Sequence, residues 1–76
     1  MSDAPAQTVR IQTDFITLQD LLKLSGAVRT GGEAKLRVQN GEALVNDEPC
    51  TQRGKKLRPG DSVTLDNHRY LVGHGR

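Results

Sequence analysis

The sequence predicts an α+β fold in which two packed helices from its first half lie against a small, mostly antiparallel sheet of four to five short strands. Three observations point that way. Two segments, opening at Thr17 and Thr30, combine helix-start chemistry with inward residues at helical spacing. After Gly41 the apolar period switches to alternation, and the pairs Asn46-Asp47, Pro59-Gly60 and Asp66-Asn67 punctuate that second half as turns. At 76 residues the chain makes one domain near the lower limit for a single hydrophobic core, so little is left over for a deep catalytic pocket.

Residues 1–7, Met1 to Gln7, read as a flexible N-terminal tail, and residues 8–76 as a single domain. Thr8 to Thr13 alternates polar and apolar residues, which places Val9 and Ile11 on one face of a short edge strand. Thr17 is a candidate N-cap with Asp20 in the capping-box position, and Ile16 can staple onto Leu21. The first helix then runs from Leu18 to Leu24 and buries Leu18, Leu21 and Leu22 along one stripe, with Gly26 just past its end. Thr30 and Glu33 repeat the start signal for a second helix that turns Ala34 and Val38 inward and ends near Asn40-Gly41.

Gly31 and Gly32 stand out in that second helix. Each glycine in helical geometry costs on the order of 1 kcal/mol relative to alanine. Two readings stand side by side: a phosphate approaches the bare N–H groups at the positive end of the helix dipole, or a tight helix corner leaves no room for a Cβ. Beyond Gly41, Leu44-Val45 leads through Asn46-Asp47 into Glu48-Pro49-Cys50. Pro59-Gly60-Asp61 then turns into a strand from Ser62 to Leu65, with Val63 and Leu65 on one face. Asp66-Asn67 turns again, and Arg69 to Val72 closes the sheet.

Charge is concentrated in the middle of the chain. Residues 29–58 hold seven basic and four acidic groups, whereas the overall net charge is only +2, so a nucleic-acid ligand requires those basic groups to share one face. Cys50 is the sole cysteine, which excludes an internal disulfide and a cysteine-rich zinc site. His68 and His74 lack ligand spacing, so no metal is expected. No stretch reaches the roughly 18 apolar residues of a membrane span, and no secretory signal opens the chain, which makes a cytoplasmic location the expectation. Asp61 and Asp66 sit at turns and no nucleophile has an orienting base, so an enzyme is not expected. Phe15 and Tyr70 are the only aromatics, too few for the stacking platform by which several folds hold single-stranded bases.

The order of motifs carries a family resemblance. A helix, a short turn, Thr30-Gly31-Gly32-Glu33-Ala34-Lys35, Gly41, Val45-Asn46-Asp47, the basic segment Arg53-Gly54-Lys55-Lys56-Leu57-Arg58 and Pro59-Gly60-Asp61 together resemble the S4 RNA-binding domain superfamily, in particular its small stand-alone bacterial members of the YaaA/YbcJ-like group. The likeness runs from about Ile16 to Leu65. It implies an S4-like (αL) fold without enzymatic activity or cofactor. It further implies recognition of structured RNA, rRNA or tRNA, through phosphate and shape contacts, in ribosome assembly or translation. The implied partners are structured RNA and ribosomal particles, with no membrane and no metal, and the implied state is a monomer. Carried over residue by residue, the RNA face maps to Thr30, Gly31, Gly32 and Lys35 and to Arg53, Lys55, Lys56 and Arg58, with Lys23 and Arg29 flanking it. Three positions depart from the pattern: Arg37 replaces an apolar or small residue, Ala43 a β-branched one, and Asp47 the usual turn glycine. Arg37 is placed either to alter helix packing or to extend the basic face.

Two other function classes share some of these features. Ubiquitin-like sulfur carriers also have such a hairpin and a Pro-Gly-Asp before a strand, but they use a C-terminal Gly-Gly, and this sequence closes on Gly73-His74-Gly75-Arg76. A protein-binding adaptor would set the same basic face against an acidic partner.

Overall fold

The computed structural model describes residues 6–75. Its elements are β1 (Gln7–Ile11), β2 (Ile16–Thr17), α1 (Leu18–Leu24), α2 (Gly31–Gln39), β3 (Leu44–Val45), β4 (Glu48–Pro49), β5 (Lys56–Leu57), β6 (Ser62–Leu65) and β7 (His68–His74). Five strands form one sheet in the order β1-β7-β6-β3-β4, and β2 pairs separately with β5. All pairings are antiparallel except β1 with β7, where Val9 stands beside Val72. Most of the expected tail lies outside the described residues, and Gln7 already belongs to β1. That strand ends at Ile11 rather than Thr13, while β7 runs longer than the expected Arg69 to Val72.

Local chemistry explains most of the boundaries. Thr17 Oγ1 accepts the Asp20 N–H at 3.2 Å and Thr30 Oγ1 accepts the Glu33 N–H at 3.1 Å, so both helices start on a threonine cap. The return half of the second capping box lands one residue early, because Glu33 Oε1 accepts the N–H of Arg29 at 2.9 Å. Gly26, at φ +84°, ends the first helix in the left-handed region. Asn46 and Asp47 have φ of 50° and 71°, and Asp66 and Asn67 have φ of 55° and 66°. Two successive left-handed residues are what a two-residue hairpin loop requires for its twist to match the flanking strands, and Asn and Asp tolerate that region better than other non-glycine residues.

The helices cover one face of the sheet. Leu18, Leu21 and Leu22 of α1 and Ala34 and Val38 of α2 are fully buried and share a core with Val63 and Leu65 of β6 and Tyr70 and Val72 of β7. Ala43 is fully buried at the entrance to the first hairpin, where its carbonyl accepts the Cys50 N–H at 3.0 Å. One expectation changes here. The segment from Arg53 to Arg58 is not an unbroken loop, since it contains β5 and Leu57 is fully buried.

Candidate nucleic-acid interface

The β2–β5 pairing sets the geometry of the basic segment. Ile16 stands opposite Leu57 and Thr17 opposite Lys56. The antiparallel course continues into α1, where the Leu18 N–H donates to the Lys55 carbonyl and the Gln19 N–H to the Arg53 carbonyl, each at 2.9 Å. The first N–H groups of a helix have no partner within it, and here the basic segment supplies two. Its backbone is therefore turned to the helix while the side chains of Arg53, Lys55, Lys56 and Arg58 are exposed.

A second set of bonds holds the far end of that segment. Asp61 Oδ2 accepts the Arg58 N–H at 2.8 Å, and Asp61 Oδ1 accepts from Asn46 Nδ2 at 3.2 Å. Asn46 Oδ1 in turn accepts the Ser62 N–H at 3.0 Å. The hairpin turn and the Pro59-Gly60-Asp61 turn, distant in sequence, thus form one hydrogen-bonded unit that fixes where Arg58 leaves the sheet.

At the start of α2 the two glycines have different reasons. A Cβ on Gly31 would meet Gln19 Nε2 at 3.0 Å, so part of its role is close approach to α1. A Cβ on Gly32 would meet only Thr30 Oγ1 at 3.9 Å. Packing therefore does not demand glycine at position 32, and its bare backbone is open to a ligand. Gln19 is the residue that sequence reasoning missed. Its N–H bonds to the Arg53 carbonyl and its side-chain amide lies against Gly31, so the first turn of α1 brings the basic segment beside the start of α2. Lys35 lies one turn along α2 from Gly31, Lys23 one turn along α1 from Gln19, and both are exposed, as are Arg29 and Thr30.

Arg37 behaves differently from the other cations. Its guanidinium lies 2.5 Å from Glu42, 2.5 Å from Asp66 and 3.9 Å from Glu33. The hydrogen bonds that Arg37 donates, first to Asp66 and then to Glu42, raise its pKa further above the ordinary value, and accepting that bond holds the Asp66 carboxyl below its own. Arg37 ties α2 to the β6–β7 turn, with its charge engaged by carboxylates. Among the described residues every ion pair within 4.0 Å involves Arg37, so Lys23, Arg29, Lys35, Arg53, Lys55, Lys56 and Arg58 face solvent without a carboxylate that close.

This clamp has a pH signature. Because the folded Asp66 pKa lies below the unfolded one, its contribution is present above the unfolded carboxylate range and is lost as pH falls through the lowered folded value. Asp66→Asn keeps a residue suited to the turn. Thermal melts should show the parent modestly more stable than the variant at pH 7, with the gap closing in acid. A gap that is constant with pH would remove the clamp's role.

A family model described as the S4 domain matches residues 9–73. The chain belongs to the S4 domain family. This S4 domain is also 44% identical over 61 residues to a Bacillus subtilis (strain 168) protein named probable ribosome maturation protein RlbA, covering 80% of this chain and 86% of that one. A further likeness, 44% over 45 residues, is to the DNA-directed RNA polymerase subunit beta of Fusobacterium nucleatum subsp. nucleatum. It spans 55% of this S4 domain and 4% of the polymerase chain, and it carries no argument about polymerase chemistry. No helix among the described residues of the S4 domain is long and apolar enough to cross a membrane. Among those residues no cluster of three or more His, Cys, Asp or Glu is placed to hold a metal ion. Cys50 is half-buried against the core, and its thiol donates to the Gln52 carbonyl at 3.7 Å.

Proposed function

We propose that this S4 domain is a non-enzymatic RNA-binding protein that recognises structured RNA, rRNA or tRNA, through phosphate and shape contacts. The observation that carries the reading is the backbone-clamped segment whose exposed Arg53, Lys55, Lys56 and Arg58 lie beside the open start of α2. Side chains held on a backbone-bonded frame, with no carboxylate within 4.0 Å of them among the described residues, suit the regular phosphate spacing of a folded RNA backbone. Thr30, Gly31, Gly32 and Lys35 complete the interface, and Lys23 and Arg29 flank it. Residues 8–76 act as one unit, as a monomer in the cytoplasm. The likeness to a protein named for ribosome maturation favours ribosomal particles as the place of action, in ribosome assembly or translation.

The test is the salt dependence of binding to a ribosomal RNA fragment. Log affinity should fall linearly with log salt, with a slope corresponding to about three to six neutralised phosphates. The same fragment should bind more tightly than an unstructured homopolymer of equal length, because two aromatics cannot reward a run of splayed bases. Affinity that ignores salt, or that is equal for both RNAs, would sink the proposal.

A further inference from the structure

Phe15 is the chain's one phenylalanine, and it is not spent on the core. The residue remains 38% exposed and outside the buried cluster, although Ile16, the next residue, packs against that cluster. A domain this short gains most from burying each large apolar side chain, so an exposed phenylalanine is an expensive choice for a purely structural position. Strand alternation explains where it goes. Ile16 and Leu57 point to the core from the β2–β5 pair, while Phe15 and Thr17 share the opposite face with Lys56, the partner of Thr17. The Lys56 ammonium accordingly sits 5.0 Å from the Phe15 ring centroid. Thr13 Oγ1 donates to the Phe15 carbonyl at 2.8 Å, which holds the backbone at that point.

We propose that the Phe15 ring is a docking site for a single unpaired nucleobase, next to the phosphate contact made by Lys56. This rests on the RNA-binding reading above and extends it from backbone to base. The ring offers two faces, and one ammonium can occupy only one of them. A base leaving an RNA helix at a bulge can lie on the other face while its own phosphate meets Lys56, so that stacking and charge act on the same nucleotide. One aromatic serves one base. The resulting preference is for a folded RNA carrying a bulge at the contact, with little regard to which base is extruded, because every base has a π-face.

Two RNA hairpins of identical stem test this, one carrying a single bulged 2-aminopurine and the other fully paired. The parent should bind the bulged hairpin roughly five- to twentyfold more tightly, within the range for stacking of one base on an aromatic side chain, and the 2-aminopurine fluorescence should be quenched on binding. Phe15→Leu should abolish the preference and the quenching while leaving affinity for the paired hairpin unchanged, and Phe15→Trp should retain both. Because Phe15 lies outside the core, both variants should melt close to the parent. If the parent binds both hairpins with the expected salt dependence but shows no preference, or if Phe15→Leu weakens both equally, the base site is wrong and the phosphate reading stands. If the parent binds neither hairpin, both readings fall.

Discussion

Replacing Arg53, Lys55 and Lys56 together by alanine is expected to weaken binding to a structured ribosomal RNA fragment by about tenfold or more at moderate salt, and to flatten the salt slope by roughly two to three units. Stability should change far less. The segment holds α1 through the carbonyls of Arg53 and Lys55 and through the β2–β5 backbone pairing, none of which an alanine side chain removes. Exposed substitutions of this kind are usually within about 0.5 kcal/mol each. The largest side-chain loss is the Lys56 contact with Phe15, worth on the order of 0.5–1 kcal/mol at an exposed site. Filter binding across a salt series, together with a denaturant melt, separates the two effects. A variant that stays folded and binds as tightly as the parent, or one that unfolds early, removes these residues from the interface.

Truncating Leu21 should do the opposite. Leu21 is fully buried between α1 and the rest of the core, and Leu→Ala at such a site costs about 2–5 kcal/mol through lost transfer energy and the cavity left behind. A domain of 76 residues has a total stability of roughly 4–11 kcal/mol at the usual per-residue values, so Leu21→Ala should lower the denaturation midpoint sharply and can leave the chain partly unfolded at 37 °C. Every cation of the interface is still present. Adding an osmolyte that favours the compact state should therefore restore RNA binding in step with the recovered helix signal. Binding that stays lost in the refolded variant would mean that Leu21 shapes the interface directly.

The parts of the fold legible in the sequence are those decided by neighbours in the chain. Thr17 and Thr30 cap their helices because a hydroxyl reaches an N–H three residues on, and the Leu18, Leu21, Leu22 stripe follows from helical period alone. Asn46-Asp47 and Asp66-Asn67 were readable because few residues enter the left-handed region in pairs. The β2–β5 pair was not readable. It joins two residues to two others some 40 positions away, and a two-residue strand has no period. The parallel neighbour of β1 was hidden for the same reason, since only the closed sheet determines that the first strand lies beside the last. In the interface, the cations were visible as a cluster in sequence, but the fate of Arg37 was not. Glu33 and Glu42 lie close to it in sequence, whereas Asp66 reaches it only after the second hairpin has folded. Gln19 gave no signal at all, because a glutamine in the first turn of a helix reads as solvent-facing until Gly31 is seen beside it.

The two carbonyls that Arg53 and Lys55 lend to the first turn of α1 also bear on how quickly the protein finds its ligand. A basic loop that is ordered only on contact loses about 0.5–1.5 kcal/mol of freedom for each long side chain it must immobilise, besides the backbone it must fix, and it slows association by the time needed to reach the competent shape. Here the backbone share of that entropy is settled when α1 forms. What remains at encounter is the freedom of the side chains themselves and a long-range attraction between a fixed set of charges and a polyanion. Capture should thus be governed by collision frequency and ionic strength rather than by rearrangement of the protein.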